Sequence, residues 1–556
     1  MKTCPKCSRT YPDETLNFCL DDGEWLTDIS EADESATAIL SGDLPNQPAT
    51  RTLEPTPASG LSIEKIETKA RSIMVAAVVF VLVSALAIGG YLYYGRGVSK
   101  QIESIAVMPF VNESGNPDVE YLSDGMTESL INSLSTLPNL SVKARNTVFR
   151  YKGRDIDEKK VGQDLSVQAV LLGRFIQRGD ELTLSLSLVD STTGNALWGE
   201  QYDRKMQDLP VLRNDIARDV AQKLRARLSN ADTTKLTKSY TADAEALRLY
   251  FYGRYFWSKR TSESIRRSIE YFNQAIERDP IFALAYSGLA DAYVVPAAAM
   301  APREAMPKAK AAATRALEID DTLAEAHTSL ARVLQAYDWN WAEAEKEYKR
   351  AIDLDPRYPL AHQWYGGLLE KIGRFDESIS ERKLALELDP LSAATSFELG
   401  QVYYFSRDYD RAIEQFPKTL ELDPHFSAAS YYLLGAYVQK GRYADAAAKL
   451  ETTPDAPVVS AVGIVGYVNG VIGRTNEARN MLNELKRLRG QQYVSAVDIA
   501  MIHVGLSEKD EAIAWLEKGY EERAYAMQNL KVEPTWERLR DDPRFADIMR
   551  RVGLPS

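Results

Sequence analysis

The chain has 556 residues, too many for one hydrophobic core, so several domains are expected. Charged residues make up 26% and hydrophobic residues 45%, the balance of ordinary folded protein. A net charge of -12 argues against nucleic acid as the main partner, because phosphate binding needs clustered Lys and Arg. The cysteines, Cys4, Cys7 and Cys19, all lie in the first 30 residues, so the rest of the chain carries no disulfide.

Residues 1–30 form a short polar head. Cys4-Pro5-Lys6-Cys7 presents two thiolates to one ion, Cys19 follows, and Asp22 falls where a second pair would be completed. Zinc takes four tetrahedral ligands, and a carboxylate oxygen can be one of them. A segment this short cannot hold itself together by a core, so a structural zinc supplies the folding energy. Tyr11, Phe18 and Trp25 supply a small apolar cap. Cys4, Pro5, Cys7, Phe18, Cys19, Asp22 and Gly23 resemble the pattern of bacterial zinc-ribbon heads. Asp22 departs from a four-cysteine ribbon, and Asp21 or a water could take its place as fourth ligand. A redox role for the C-x-x-C pair lacks the surrounding βαβ pattern. Lys2, Lys6 and Arg9 face six acidic residues in the head, which speaks against DNA.

Residues 31–71 are rich in Pro, Ser, Thr, Ala and acids and read as a disordered linker. Residues 72–94, SIMVAAVVFVLVSALAIGGYLYY, hold no charge. As a helix they would be roughly 35 Å long, enough to cross a ~30 Å hydrocarbon core. Tyr91, Tyr93 and Tyr94 sit where interfacial aromatic rings are favoured. Arg51, Lys65, Lys69 and Arg71 precede the span, and Arg96 and Lys100 follow it. That bias predicts an inner-membrane, single-pass protein with a cytoplasmic head and a periplasmic or extracellular body.

Residues 101–230 read as an α/β domain. The apolar run 104–110 is a buried strand stopped by Pro109, and 121–137 has apolar residues at helical spacing. A second strand is predicted over 140–144 and a short helix over 157–165. Stretches 167–178 and 181–190 form a hairpin across Gly179-Asp180, with Leu182, Leu184, Leu186 and Leu188 alternating with polar residues. A strand over 197–202 and an amphipathic helix over 209–228 complete the domain. The runs 104–110, 121–128, 149–153 and 197–203 resemble the TolB amino-terminal-like domain, which implies an interaction or sensory module. Asp124, Glu128 and Asp203 are carboxylates near turns, read as solvated or helix-capping groups.

From residue 240 an ending recurs: IERDP, LEIDD, IDLDP, LELDP and LELDP, closing at 280, 321, 356, 390 and 424. The 34-residue period with helix–turn–helix texture identifies a tetratricopeptide (TPR) array of about seven repeats over 240–533. A polar cap is expected over 534–556. The expected fold class is multidomain: a zinc-ribbon-like head, one transmembrane helix, a TolB-like α/β domain and an all-α TPR solenoid. Such arrays bind peptides or partner helices on the concave face. Helical position nominates Gln363, Phe397, Gln401, Tyr404 and Tyr431 for that groove. The four histidines fall on separate repeats and read as packing or surface residues. No nucleophile–base constellation is visible, so the chain reads as a non-enzymatic, membrane-anchored scaffold or sensor. Its expected partners are a protein or peptide ligand and the lipid bilayer, with a homodimer a reasonable arrangement and no nucleic acid. The alternative is a cytoplasmic-facing signalling or transcription regulator whose zinc head contacts nucleic acid or a signalling enzyme.

Overall fold

The computed structural model of the chain describes residues 2–3, 10–11, 27–28, 102–137, 139–224, 229–295, 300–452 and 462–554. The chain divides into two compact units, Met1–Val98 and Ser99–Ser556. In the first unit, strands β1 (Lys2–Thr3), β2 (Thr10–Tyr11) and β3 (Thr27–Asp28) pair antiparallel in the order β2-β1-β3. The zinc candidates Cys4, Cys7, Cys19 and Asp22, and the apolar stretch 72–94, lie outside the described residues. Among the described residues no helix is long and apolar enough to cross a membrane.

The second unit opens with a mixed sheet. Its strands are β4 (Ser104–Val107), β5 (Val111–Asn112), β6 (Ser141–Val142), β7 (Ala169–Arg178), β8 (Glu181–Asp190) and β9 (Ala196–Lys205). The order is β6-β4-β7-β8-β9, with β5 also paired to β7. β4 runs parallel to β6 and β7, and β7, β8 and β9 form an antiparallel meander. The expected hairpin is present, turning at Gly179, whose φ of 63° suits a residue without Cβ. Leu182, Leu184, Leu186 and Leu188 all point into the core, as the two-residue period requires. Helices α1 (Glu120–Ser135), α2 (Arg145–Phe149), α3 (Glu158–Leu165), α4 (Leu209–Lys223) and α5 (Asn230–Leu236) complete this layer. Asp157 caps α3 by accepting from the backbone N–H groups of Lys159 and Lys160.

Among the described residues eight helix pairs follow, where the sequence suggests about seven repeats. They are α6/α7 (Ala244–Ser258, Ser262–Arg278), α8/α9 (Ala283–Val294, Pro302–Ile319), α10/α11 (Ala324–Val333, Trp341–Leu354) and α12/α13 (Pro359–Ile372, Phe375–Leu388). Then come α14/α15 (Ala393–Phe405, Tyr409–Leu422), α16/α17 (Ser427–Gln439, Tyr443–Thr452), α18/α19 (Val462–Val471, Thr475–Arg489) and α20/α21 (Ala496–Gly505, Lys509–Glu521). Within α14/α15 a Cβ on Gly400 would stand 2.6 Å from the Phe416 ring, so glycine sets the closeness of the two helices. The 35-residue step from 321 to 356 has one residue more than each of the two steps that follow it, and α10 continues into a π turn, Leu334–Asp338.

The C-terminal segment does more than cover an end. Trp536, Leu539, Phe545 and Ile548 are fully buried, so the expected polar cap has an apolar inner face. It ends in α22 (Pro543–Arg551) and folds back onto the third helix pair. Trp341 Nε1 donates to the Val552 carbonyl at 3.3 Å, Arg523 donates to the Tyr337 carbonyl at 2.9 Å, and Gln335 donates to Gln528 Oε1 at 2.8 Å.

Candidate functional site

The inward face of the array is written in steps of three and four residues, the spacing that keeps side chains on one helix stripe. Leu284, Ser287 and Asp291 of α8, Glu325 and Arg332 of α10, Gln363, Trp364, Gly367 and Lys371 of α12, and Phe397, Glu398 and Gln401 of α14 line one cavity of about 1680 Å³. The remaining wall comes from the chain itself. Gly125 and Glu128 of α1, Arg145 and Asn146 of α2, Arg254 and Trp257 of α6, and Tyr525 and Gln528 of the C-terminal segment also line the cavity.

Three of the five residues nominated from sequence, Gln363, Phe397 and Gln401, line this cavity. Tyr404 does not. It follows Gln401 by three residues, whereas Lys371 marks a stripe that continues by four, and it turns into the core. Its hydroxyl donates to Glu533 Oε1 at 3.1 Å, a contact with the returning C-terminal segment. Tyr431 shares its repeat position with Gln363 and Phe397, seven residues past the closing position, yet it is buried in the same cluster as Leu530, Val532 and Trp536. Neither tyrosine lines this cavity.

The α/β layer is pinned to the array by charge. Arg254 on α6 grips Glu128 Oε1 with two nitrogens, at 2.8 and 2.6 Å, and Arg145 Nε lies 2.9 Å from Glu128 Oε2. Burial alone would raise the Glu128 pKa, but the two guanidinium groups outweigh it and hold the carboxyl below its ordinary range. Such a buried, doubly paired carboxylate is neither solvated nor a cap, unlike the sequence expectation for Glu128. Asp124 instead pairs with Lys152 at 2.5 Å, and Asp203, on β9, accepts from Thr183 and Gln201. A second clamp joins Asp389, at the end of α13, to Asn146 and Thr147 of α2 at 2.9 and 2.8 Å. Tyr121 stacks on Tyr252 at 3.4 Å and Tyr252 on Tyr271 at 4.7 Å, adding an aromatic seam between α1 and the first helix pair.

Deeper in the cavity lies a buried ion cluster. Arg382 contacts Glu370 at 3.0 Å, Lys371 also pairs with Glu370, and Arg382 donates to the Glu398 carbonyl. Burial raises the Glu398 pKa. It lowers that of Lys371. Arg382 and this cluster were not visible in the sequence reading, although Arg382 stands where the neighbouring repeats carry Phe416 and Tyr348. His327, His362 and His503 are buried, whereas His425 is exposed. His327 and His362 each hold a glutamate through Nδ1, Glu347 and Glu381, and a backbone carbonyl through Nε2. Among the described residues no group of three or more His, Cys, Asp or Glu could hold a metal ion.

Comparison with known proteins divides along the same lines. Residues 339–393 and 397–457 match the tetratricopeptide repeat family. Residues 100–218 match the family described as HilA/YgeH-like transcriptional regulator, second domain, on the stretch whose motifs resemble the TolB amino-terminal-like domain. A Rhizobium meliloti (strain 1021) protein named "Putative adenylate cyclase 3" is 33% identical over 186 residues, 34% of this chain. The match spans only about a third, 32%, of that protein's own length. Among solved structures, PilF of Pseudomonas aeruginosa is 23% identical, covering 42% of this chain and 100% of its own, with a TM-score of 0.31. Human IFIT1 is 14% identical, covering 56% of this chain and 78% of its own, with a TM-score of 0.38.

Proposed function

We propose that the chain is a non-enzymatic scaffold or sensor that binds a protein partner through its TPR array. The observation that carries this reading is the shared cavity: the inward stripe of the array meets the α/β layer, so a ligand entering there touches both. Binding would then bear on the Glu128–Arg254 and Asp389–Thr147 clamps, which lets the array report occupancy to the rest of the molecule. In the same proposal, residues 1–30 form a zinc-clasped head using Cys4, Cys7, Cys19 and Asp22, and residues 72–94 anchor the chain in a membrane. The antiparallel strands Lys2–Thr3 and Thr10–Tyr11 bracket the C-x-x-C turn in sequence, which supports a ribbon-like head. The uncharged stretch and its flanking charges support the anchor and a cytoplasmic head. The TolB-like reading of 101–230 belongs to this proposal as well.

A second reading, a cytoplasmic-facing signalling or transcription regulator, is supported by the regulator family matched over 100–218. It also draws on the name of the Rhizobium relative. Photo-crosslinking from position 401 of the full-length protein in cells tests the first reading. It predicts a specific protein adduct that weakens at least fivefold with Phe397→Ala. Absence of any such adduct contradicts the scaffold reading. A carboxy-terminal reporter active only in the cytoplasm favours the regulator.

A further inference from the structure

One wall of the cavity holds a cation, Arg260, on which the Asp291 carboxylate acts only through space. Helix α6 carries Tyr250, Arg254 and Trp257 on the stripe facing the void. Past its end, Arg260 adopts a left-handed backbone with φ of 55°, a conformation that residues other than glycine seldom take. That turn folds the guanidinium back over the Trp257 ring, 3.6 Å from its centroid. Stacking leaves the N–H edge of the guanidinium open. Arg260 makes no hydrogen bond or ion pair from its side chain to any described residue, unlike Arg254, which is saturated by Glu128 and Asp291. Desolvation by the crowded cavity wall, opposed by the Asp291 charge, draws its pKa down to about 10, which leaves it charged at neutral pH. Two further donors at the same cavity find no partner among the described residues: the Trp257 indole N–H and the Ser287 hydroxyl, both buried. A second cation of the lining, Arg332, is held by the rings of Trp364 and Tyr525, at 5.5 and 4.8 Å.

A guanidinium fork set in the cavity wall and open to the void complements a planar or tetrahedral oxyanion, to which it can donate two parallel hydrogen bonds. The cavity, about 1680 Å³, exceeds the roughly 300–1,000 Å³ of ordinary small-molecule sites, so it has room for more than the anion alone. We propose that this cavity binds an oxyanion-bearing ligand, its carboxylate or phosphate held by Arg260 with the Trp257 N–H and Ser287 hydroxyl as further donors. The proposal rests on the scaffold reading and names the chemistry that its inner site recognises. A phosphate ester and a carboxylate, such as the end of a peptide, present the same feature to Arg260, and the choice of probe separates them.

Calorimetric titration of the full-length protein with pyrophosphate and, separately, with succinate tests the site. At least one probe should bind saturably at one site per chain, and Arg260→Gln should weaken it tenfold or more. Arg260→Lys should retain part of the binding, since it keeps the charge but loses the fork. Arg487→Gln, on an exposed pair with Glu484, should leave it unchanged. Melting curves without probe identify any variant that fails to fold; should Arg260→Gln do so, Ser287→Ala takes its place, with a threefold or greater loss expected. No saturable binding of either probe overturns the proposal, as does undiminished binding in folded Arg260→Gln. Pyrophosphate alone binding assigns a phosphate, and succinate alone a carboxylate. Protein crosslinking from position 401 that persists without anion binding removes only this proposal, whereas anion binding without a protein adduct removes only the scaffold reading.

Discussion

Glu325 lies in the first turn of α10, facing the cavity, with its carboxyl accepting from its own backbone N–H. Burial pushes its pKa up from 4.5 to about 7. In the unfolded chain it ionises near the ordinary value, so folding takes up a proton between roughly pH 4.5 and 7. The folded state therefore has its full contribution from this group at low pH and loses it as pH rises through about 7. Glu325→Gln should match the wild type at pH 4 and exceed its stability at pH 8 by on the order of 1 kcal/mol. Thermal unfolding across that range measures it, and parallel curves for the two proteins would contradict the assignment. His362 has the other kind of raised pKa. Burial lowers it, but the hydrogen bonds to Glu381 and the Pro356 carbonyl and the Glu381 charge outweigh burial. Its contribution is complete below the ordinary histidine value and fades as pH rises through the raised one.

At the scale of elements, the TPR helices were the most legible part of the chain. The acidic-Pro endings, and the small residues at tight crossings such as Gly400 and Ala412, follow from the packing of one helix on the next. The hairpin β7–β8 was legible for the same kind of reason, because alternation of Leu182, Leu184, Leu186 and Leu188 has one physical cause. What was not legible depends on meetings between distant parts of the chain. The five-residue α2 has no apolar period to announce it, and its Asn146 and Thr147 side chains bond Asp389, more than 240 positions away. Helical position alone cannot foresee a C-terminal segment returning over Tyr404 and Tyr431.

The pair α12/α13 carries its own test. Phe416 closes α14/α15 against Gly400, whereas Arg382 closes α12/α13 against Gly366, where a Cβ would stand 2.9 Å from its side chain. An arginine there is tolerated because Glu370 takes its charge and the Glu398 carbonyl its hydrogen bond. Arg382→Ala should leave Glu370 with Lys371 alone and open a cavity, at a cost of about 3–5 kcal/mol. Denaturant unfolding reads this directly. A loss under about 1 kcal/mol would mean that the cluster is dispensable to the pair.

At the scale of the whole second unit, the array is not an open cradle. The α/β layer sits on its inward face through Glu128–Arg254, Asp389–Thr147 and the Tyr121–Tyr252–Tyr271 stack, and the C-terminal segment returns to Gln335, Tyr337 and Trp341. The cavity of this array has walls from three parts of the chain, bordered by the contacts that join them. Sequence supplied the parts of this assembly without their closure, since no local pattern encodes which surface a finished domain will cover.

Hydrogen exchange of the full-length protein, with and without Asp389→Ala, tests that closure most directly. If the α/β layer is seated on the array as described, amides of residues 145–149 exchange slowly in the wild type and at least tenfold faster in the variant, while those of 429–438 stay unchanged. Equal exchange over 145–149 in the two proteins would contradict the account.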